Sequence, residues 1–186
     1  QDYALTNIKD LLDQVVGVTV ERLETDRASF TSRGFDVTNF QIDGIGLPLT
    51  ENTFYGDTDS FLYERVDIIR GANGLTTGVG NPSATINYIR KRPIFDDVRV
   101  NAGAYFGSWD KRRIEADVST PISDRWALRV MGAYDETDSY LDKYHVNREV
   151  FGAVVAGKLT DDLTLTAGYH RQRNNSTSPT WVSLVL

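Results

Sequence analysis

No cysteine occurs in the chain, which excludes disulfides, zinc–thiolate centres and cysteine nucleophiles. Histidine is scarce as well: His145 and His170 are the only two, far apart and without metal-ligand spacing. No stretch approaches the ~18 consecutive apolar residues that a membrane-spanning helix requires. A membrane β-protein stays open, because short alternating strands give a much weaker hydropathy signal. The start shows no basic segment leading into an apolar one, so no secretory leader is recognised. Gln1 begins close to a helical pattern, as expected of a mature form or of a piece cut from a longer chain. Positive charge is in the minority, with 20 basic against 26 acidic residues and a net charge of −6. A nucleic-acid partner is therefore not expected, since it would call for a basic face.

What is present is globular in composition, 40% hydrophobic and 25% charged over 186 residues, enough for one domain or two small ones. Residues 4–15, "ALTNIKDLLDQV", place Leu5, Ile8, Leu11, Leu12 and Val15 at helical spacing, with Thr6 or Asn7 as cap and Gly17 as terminator. "VTVERL" (18–23), "SFTSRGF" (29–35) and "NFQIDGI" (39–45) read as short β segments around glycine turns. Residues 46–60 read as a loop, "RVDIIRG" and "SATINYIRK" as strands, and Pro93 closes this first region.

Between those last two strands lies "GANGLTTGVGN", which invites a phosphate-loop reading. It has no lysine at the Walker position and no helix behind the glycines. The glycines fit tight turns and close backbone packing better. Gly-x-Ser-x-Gly is absent, as is any nucleophile–base pair, so no enzyme chemistry is expected.

The second region alternates. Val98, Val100, Ala102, Ala104 and Phe106 share one side of 98–107; Ile114, Ala116 and Val118 oppose Arg113, Glu115, Asp117 and Ser119. Trp126, Leu128, Val130 and Tyr134 form one face of 125–135, and Leu163, Leu165, Ala167 and Tyr169 one face of 163–172. Residues 150–159 are apolar on both faces. Five strands are expected, at 97–108, 112–120, 125–136, 148–159 and 163–173. "PISD" (121–124) and "TDD" (160–162) are short turns, while "ETDSYLDKYHVN" (136–147) and the stretch after 173 are long polar connections. Short turns at one end and long loops at the other suit an outer-membrane barrel, with Tyr105, Trp126, Tyr134 and Tyr169 as interfacial girdle residues. A soluble antiparallel sandwich also alternates. On the barrel reading five strands cannot close a barrel of at least ~8, and the last strand is an open edge.

"TSRGFDVTNFQIDGI" followed by "YERVDIIRGANGLTTGVGNPSATINYIRKRP" resembles the plug domain of TonB-dependent outer-membrane receptors, nearest to the ferric-siderophore branch of the coprogen/rhodotorulic acid and pyoverdine type. The likeness is strong from about residue 5 to 93. It implies an α+β plug domain over 1–93, lacking its N-terminal part, and over 94–186 the first five strands of a 22-stranded antiparallel transmembrane β-barrel. The implied protein is no enzyme. It binds a ferric siderophore at the bacterial outer membrane and imports it with energy delivered by TonB, through a segment that would precede Gln1. Its further partner is outer-membrane lipid. Haem, cobalamin or a copper complex are alternative cargoes, and a passive porin-like barrel is the alternative function.

The resemblance also implies site residues. Arg33 and Arg70 match plug arginines that pair with glutamates of the barrel wall, which would lie downstream of this chain; a local pair with Glu64 or Asp67 is the alternative. Arg27 matches an arginine presented to the siderophore, and Phe54 and Tyr55 an aromatic pair near it, with Asn39 and Phe40 as neighbours. Outward plug loops are expected at 22–29, 36–40 and 50–58. Trp109, Tyr140, Tyr144 and Trp181 are candidates for an aromatic vestibule, and Trp109 and Trp181 are placed among the ligand contacts. Plug packing, membrane girdle or loop packing is the alternative for each aromatic. No metal ligands and no cofactor are expected, because the iron arrives wrapped in its chelator. Asp57 and Asp59 fall short of a calcium loop.

Overall fold

A computed structural model describes residues 6–22, 25, 27–47, 54–55 (backbone only), 58–71, 83–139 and 143–179. Residues 74, 78 and 80 of the glycine stretch, and Tyr140 and Trp181, lie outside the described residues. The chain divides into two compact units, Gln1–Arg90 with Pro179–Leu186, and Lys91–Ser178.

The first unit opens with α1 (Ile8–Asp13), shorter than the helical pattern. Asn7 caps it, its Oδ1 accepting the Lys9 N–H at 2.9 Å. At the other end the amides of Gln14 and Val15 donate to carbonyls only three residues back, which tightens the last turn and stops the helix. Then follow β1 (Thr19–Arg22), β2 (Arg27–Ser32), β3 (Phe35–Asp36), β4 (Asn39–Ile42), β5 (Ile45–Gly46), β6 (Phe54–Tyr55), β7 (Tyr63–Arg70) and β8 (Ala84–Arg90). "SFTSRGF" and "NFQIDGI" are each a hairpin. Their turn pairs, Arg33–Gly34 and Asp43–Gly44, all have positive φ, as two-residue hairpin turns demand. The loop expected at 46–60 contains β6, which pairs with β2 through Arg27↔Tyr55 and Ala28↔Phe54. A two-residue strand has no periodicity to betray it.

These strands form two sheets. One runs β1-β2-β3 with β6 also on β2; the other runs β5-β4-β8-β7, mixed because β4 and β8 are parallel. Ile8, Leu12, Val18, Ala28, Phe30, Val37, Phe40, Ala84, Ile86 and Tyr88 form the core. The Asp43 turn is fastened to β8 by two bonds to Arg90, at 2.6 and 3.0 Å.

The second unit is an antiparallel meander of β9 (Arg99–Phe106), β10 (Arg112–Ser123), β11 (Trp126–Asp138), β12 (His145–Lys158) and β13 (Thr164–Thr177). β10 to β13 extend past the apolar alternation into stretches expected as turn or loop. Asp138 pairs with His145 and His145 with Thr177, so register rather than hydropathy carries the strands onward. "PISD" is likewise mostly strand, with an irregularity between Pro121 and Ser123.

Register puts Val100, Val118, Val130, Ala153 and Tyr169 in one row across the sheet, and Tyr105, Arg113, Asp135, Arg148 and Asn174 in another on the opposite face. From β10 to β12 the apolar face is the more exposed and the charged face is covered: Ile114 is 60% exposed while neighbouring Arg113 is 1% exposed. A water-soluble sheet shows the reverse. β12 is apolar on both sides, with Val150 and Val154 buried and Phe151 exposed.

Candidate functional site

β2 carries the two groups of candidate residues at its opposite ends. Arg27 opens the strand and Arg33 follows its last residue, six steps or roughly 20 Å away. At the first end Arg27 is half-buried and sits directly across from Tyr55, with Phe54 beside it. The backbone pairing of β2 with β6 thus brings Arg27 beside Phe54 and Tyr55, 27 and 28 positions later in the sequence. The expected outward loops at 22–29 and 36–40 are largely strand at this point, so these residues sit on a sheet rather than on free loops.

Asn39 is half-buried at the start of β4, paired with Thr85 in the other sheet. Phe40 is a correction. It is 1% exposed and meets Phe30 edge-on, ring centroids 5.7 Å apart, so its face is spent on the core and not on a ligand. Strand alternation explains this: β4 turns Phe40 inward where Asn39 and Gln41 are half-buried. Trp109 belongs to the second unit, in the turn between β9 and β10, 61% exposed with φ +61°.

At the other end of β2, Arg33 holds the left-handed conformation, φ +55°. Its Nη1 lies 3.8 Å from where a Cβ at Gly71 would sit. Arg70 immediately precedes Gly71 and donates from Nη1 to the Val16 carbonyl at 2.6 Å. Ser32 closes the same corner through Oγ to the Gly17 carbonyl, 2.8 Å. Asp67 is engaged by Arg65 at 3.0 Å. Two guanidiniums thus share one corner of the unit, and no carboxylate pairs with either among the described residues.

In the other sheet, the rings of Tyr63 on β7 and Tyr88 on β8 lie 5.1 Å apart. Burial raises both phenols above the ordinary tyrosine value; for Tyr63 the Arg90 guanidinium works against that rise. Among the described residues no group of three or more His, Asp or Glu side chains could hold a metal ion.

Sequence reasoning missed one charged constellation in the second unit. Asp117 accepts from Arg129 Nε at 2.8 Å, from Arg129 Nη2 at 2.7 Å and from Lys91 Nζ at 2.9 Å. All three residues are polar members of strands or of the segment before them, and only strand register reveals that they meet.

Residues 1–85 match the family profile described as TonB-dependent Receptor Plug Domain. The chain is 39% identical to the ferripyoverdine receptor of Pseudomonas aeruginosa, over 97% of this chain and 23% of that protein. Among solved structures, the pyoverdine outer-membrane receptor FpvA of P. aeruginosa PAO1, bound to pyoverdine, matches with a TM-score of 0.86 at 34% identity, over 95% of this chain and 26% of that one. The alcaligin outer-membrane receptor FauA of Bordetella pertussis matches with a TM-score of 0.79 at 38% identity, over 91% of this chain and 29% of that one. The chain spans about a quarter of the length of these relatives. Residues 1–85 thus match the TonB-dependent receptor plug domain, and the chain is similar along most of its length to one stretch of ferric-siderophore receptors.

Proposed function

We propose that residues 1 to about 93 are the plug, and residues 94–186 the first wall strands, of an outer-membrane receptor that binds a ferric siderophore outside the cell. TonB-coupled energy then drives import. The observation that carries this reading is a plug domain continued into a sheet whose apolar face is bare and whose charges are covered. Such a sheet suits a wall with hydrocarbon on one side and a polar interior on the other, as in a 22-stranded barrel. The protein performs no catalysis and holds no cofactor; iron is cargo inside its chelator.

In this reading Arg27 and Tyr55, joined across β2 and β6, present a fixed cation and an aromatic ring to the ligand, with Phe54 and Asn39 nearby. A guanidinium suits the negatively charged oxygens of a ferric hydroxamate or catecholate. Trp109, in the turn between β9 and β10, and Trp181 add aromatic contacts to the ligand. Arg33 and Arg70 pair with wall carboxylates outside this chain, which accords with the absence of a local carboxylate partner among the described residues.

Ferric pyoverdine is the first probe, because several relatives are named for pyoverdine. The complete receptor is titrated with ferric pyoverdine, ferric coprogen, ferrioxamine, ferric enterobactin and haem, following tryptophan fluorescence. Tight saturable quenching by one ferric chelate is expected, weakened about tenfold or more in Arg27→Ala and Tyr55→Ala, a loss of at least ~1.4 kcal/mol. Binding that ignores both changes moves the site to the loops. Binding of haem alone changes the cargo class, and no binding at all leaves a non-transporting barrel.

A further inference from the structure

The segment Lys91–Phe95, which joins the plug to β9, is held on the charged face of the wall at four points. The Lys91 ammonium meets the Asp117 carboxylate at 2.9 Å. Arg129, which grips the same carboxylate through two nitrogens, donates its third, Nη1, to the Arg92 carbonyl at 2.9 Å. The Ile94 amide donates to Ser119 Oγ at 2.9 Å. The Phe95 ring lies 4.5 Å below Lys158 Nζ. Asp117, Ser119 and Arg129 are all buried.

If this cluster served only to pair β10 with β11, the Asp117–Arg129 bond would suffice. Instead an ammonium, a carbonyl and an amide of the connecting segment are drawn into it. The location is equally telling. β9 begins at Arg99, whose partner across the ladder is Ser119, and Asn101 faces Asp117. Two of the residues that grip the connecting segment, Asp117 and Ser119, are therefore the two beside which β9 starts.

We propose that Asp117, Arg129 and Ser119 form a strain-relief anchor: a pull on the plug ends at Lys91–Ile94 and never reaches β9. Without it, tension along the chain would load the Arg99–Ser119 end of the β9–β10 ladder and peel it one bond at a time. With it, the load falls on a buried cluster whose bonds must break together, and whose opening would leave a buried charge uncompensated. β9 has one strand neighbour among the described residues, so it is the element that peeling would threaten. The proposal rests on reading residues 1–90 as a plug that is pulled.

The test is single-molecule pulling on the N-terminal end of the complete receptor in lipid vesicles, with wild type beside Asp117→Asn, Lys91→Met and Ser119→Ala. In wild type, the released length is expected to stop before residue 91. In Asp117→Asn, release is expected to run on through residues 91–106, adding about 55 Å of chain at ~3.5 Å per residue. Lys91→Met and Ser119→Ala are milder and cover the case in which Asp117→Asn does not fold; each is expected to lower the force at which the extra length appears. Hydrogen exchange over β11 and β12 verifies that each variant keeps its wall. Release of 91–106 together with the plug in wild type would overturn the proposal, as would traces from all folded variants that match wild type. The pull uses no cargo, so a receptor that binds none of the ferric chelates or haem but gives the expected traces refutes the transport reading and leaves the anchor standing.

Discussion

Arg70 Nη1 donates a 2.6 Å hydrogen bond to the carbonyl of Val16, 54 positions earlier in the chain. The next residue, Gly17, has φ +83°, and a Cβ there would lie 3.2 Å from that same nitrogen. Gly17→Ala therefore strains the backbone and crowds the guanidinium at once. A destabilisation of about 1–2 kcal/mol is expected. Calorimetry on the complete receptor should show the plug transition at lower temperature, and an unchanged transition would mean the turn does not hold Arg70.

Arg33 occupies a hairpin position that asparagine or glycine fills more easily, at φ +55°. Strain kept at a residue with no carboxylate partner among the described residues points to a demand outside the unit. Arg33→Asn should stabilise the hairpin by up to ~1 kcal/mol while weakening retention of the plug and ferric pyoverdine import. A variant equally stable or less stable, with import intact, would remove Arg33 from the pairing role.

Tyr88 is 1% exposed and its hydroxyl has no hydrogen-bond partner among the described residues. Replacing it with phenylalanine removes an unsatisfied buried group, so Tyr88→Phe is expected to match or exceed wild-type stability by about 1 kcal/mol at neutral pH. The pH dependence follows from burial, which raises the pKa of Tyr88 and of Tyr63. A phenol that ionises less readily folded than unfolded contributes stability that is intact below about pH 10 and lost as pH climbs further. Denaturation between neutral and strongly alkaline pH should show this loss in wild type and a shallower one in Tyr88→Phe.

Val130 lies mid-row on the bare face, between Val118 and Ala153. In a bilayer, Val130→Arg should cost about 2–4 kcal/mol, read from urea titrations of the complete receptor folded into vesicles. On a face turned to water the same change would cost close to nothing, and that result would return the sheet to the sandwich alternative.

The strands of the second unit were legible because period-two alternation runs through them, and the plug because its motifs are specific in combination. What the sequence hid was pairing. The Asp117–Arg129 contact joins residues 12 apart whose meeting depends on β10 and β11 sharing one register. β6 is two residues long and exists only because β2 offers an edge at Arg27 and Ala28. Phe40 was misread because an aromatic near a recognised motif looks like a ligand contact, whereas its strand parity sends it to the core. The ends of β11, β12 and β13 ran past expectation because polar residues such as Asp138 and His145 keep the ladder going after the apolar face has ended.

The reversed faces of the second unit also change how its tolerance to substitution reads. In a water-soluble sheet, exposed positions accept nearly anything and buried ones resist polarity. On the proposed wall reading, exposed Ile114, Val130 and Leu165 face a demand for apolar character, while buried Arg113, Asp117 and Arg129 face a demand for charge. A saturation screen over β9–β13 in cells would come out as the photographic negative of a soluble domain, with its freest positions at the polar strand ends beyond the row of Tyr134.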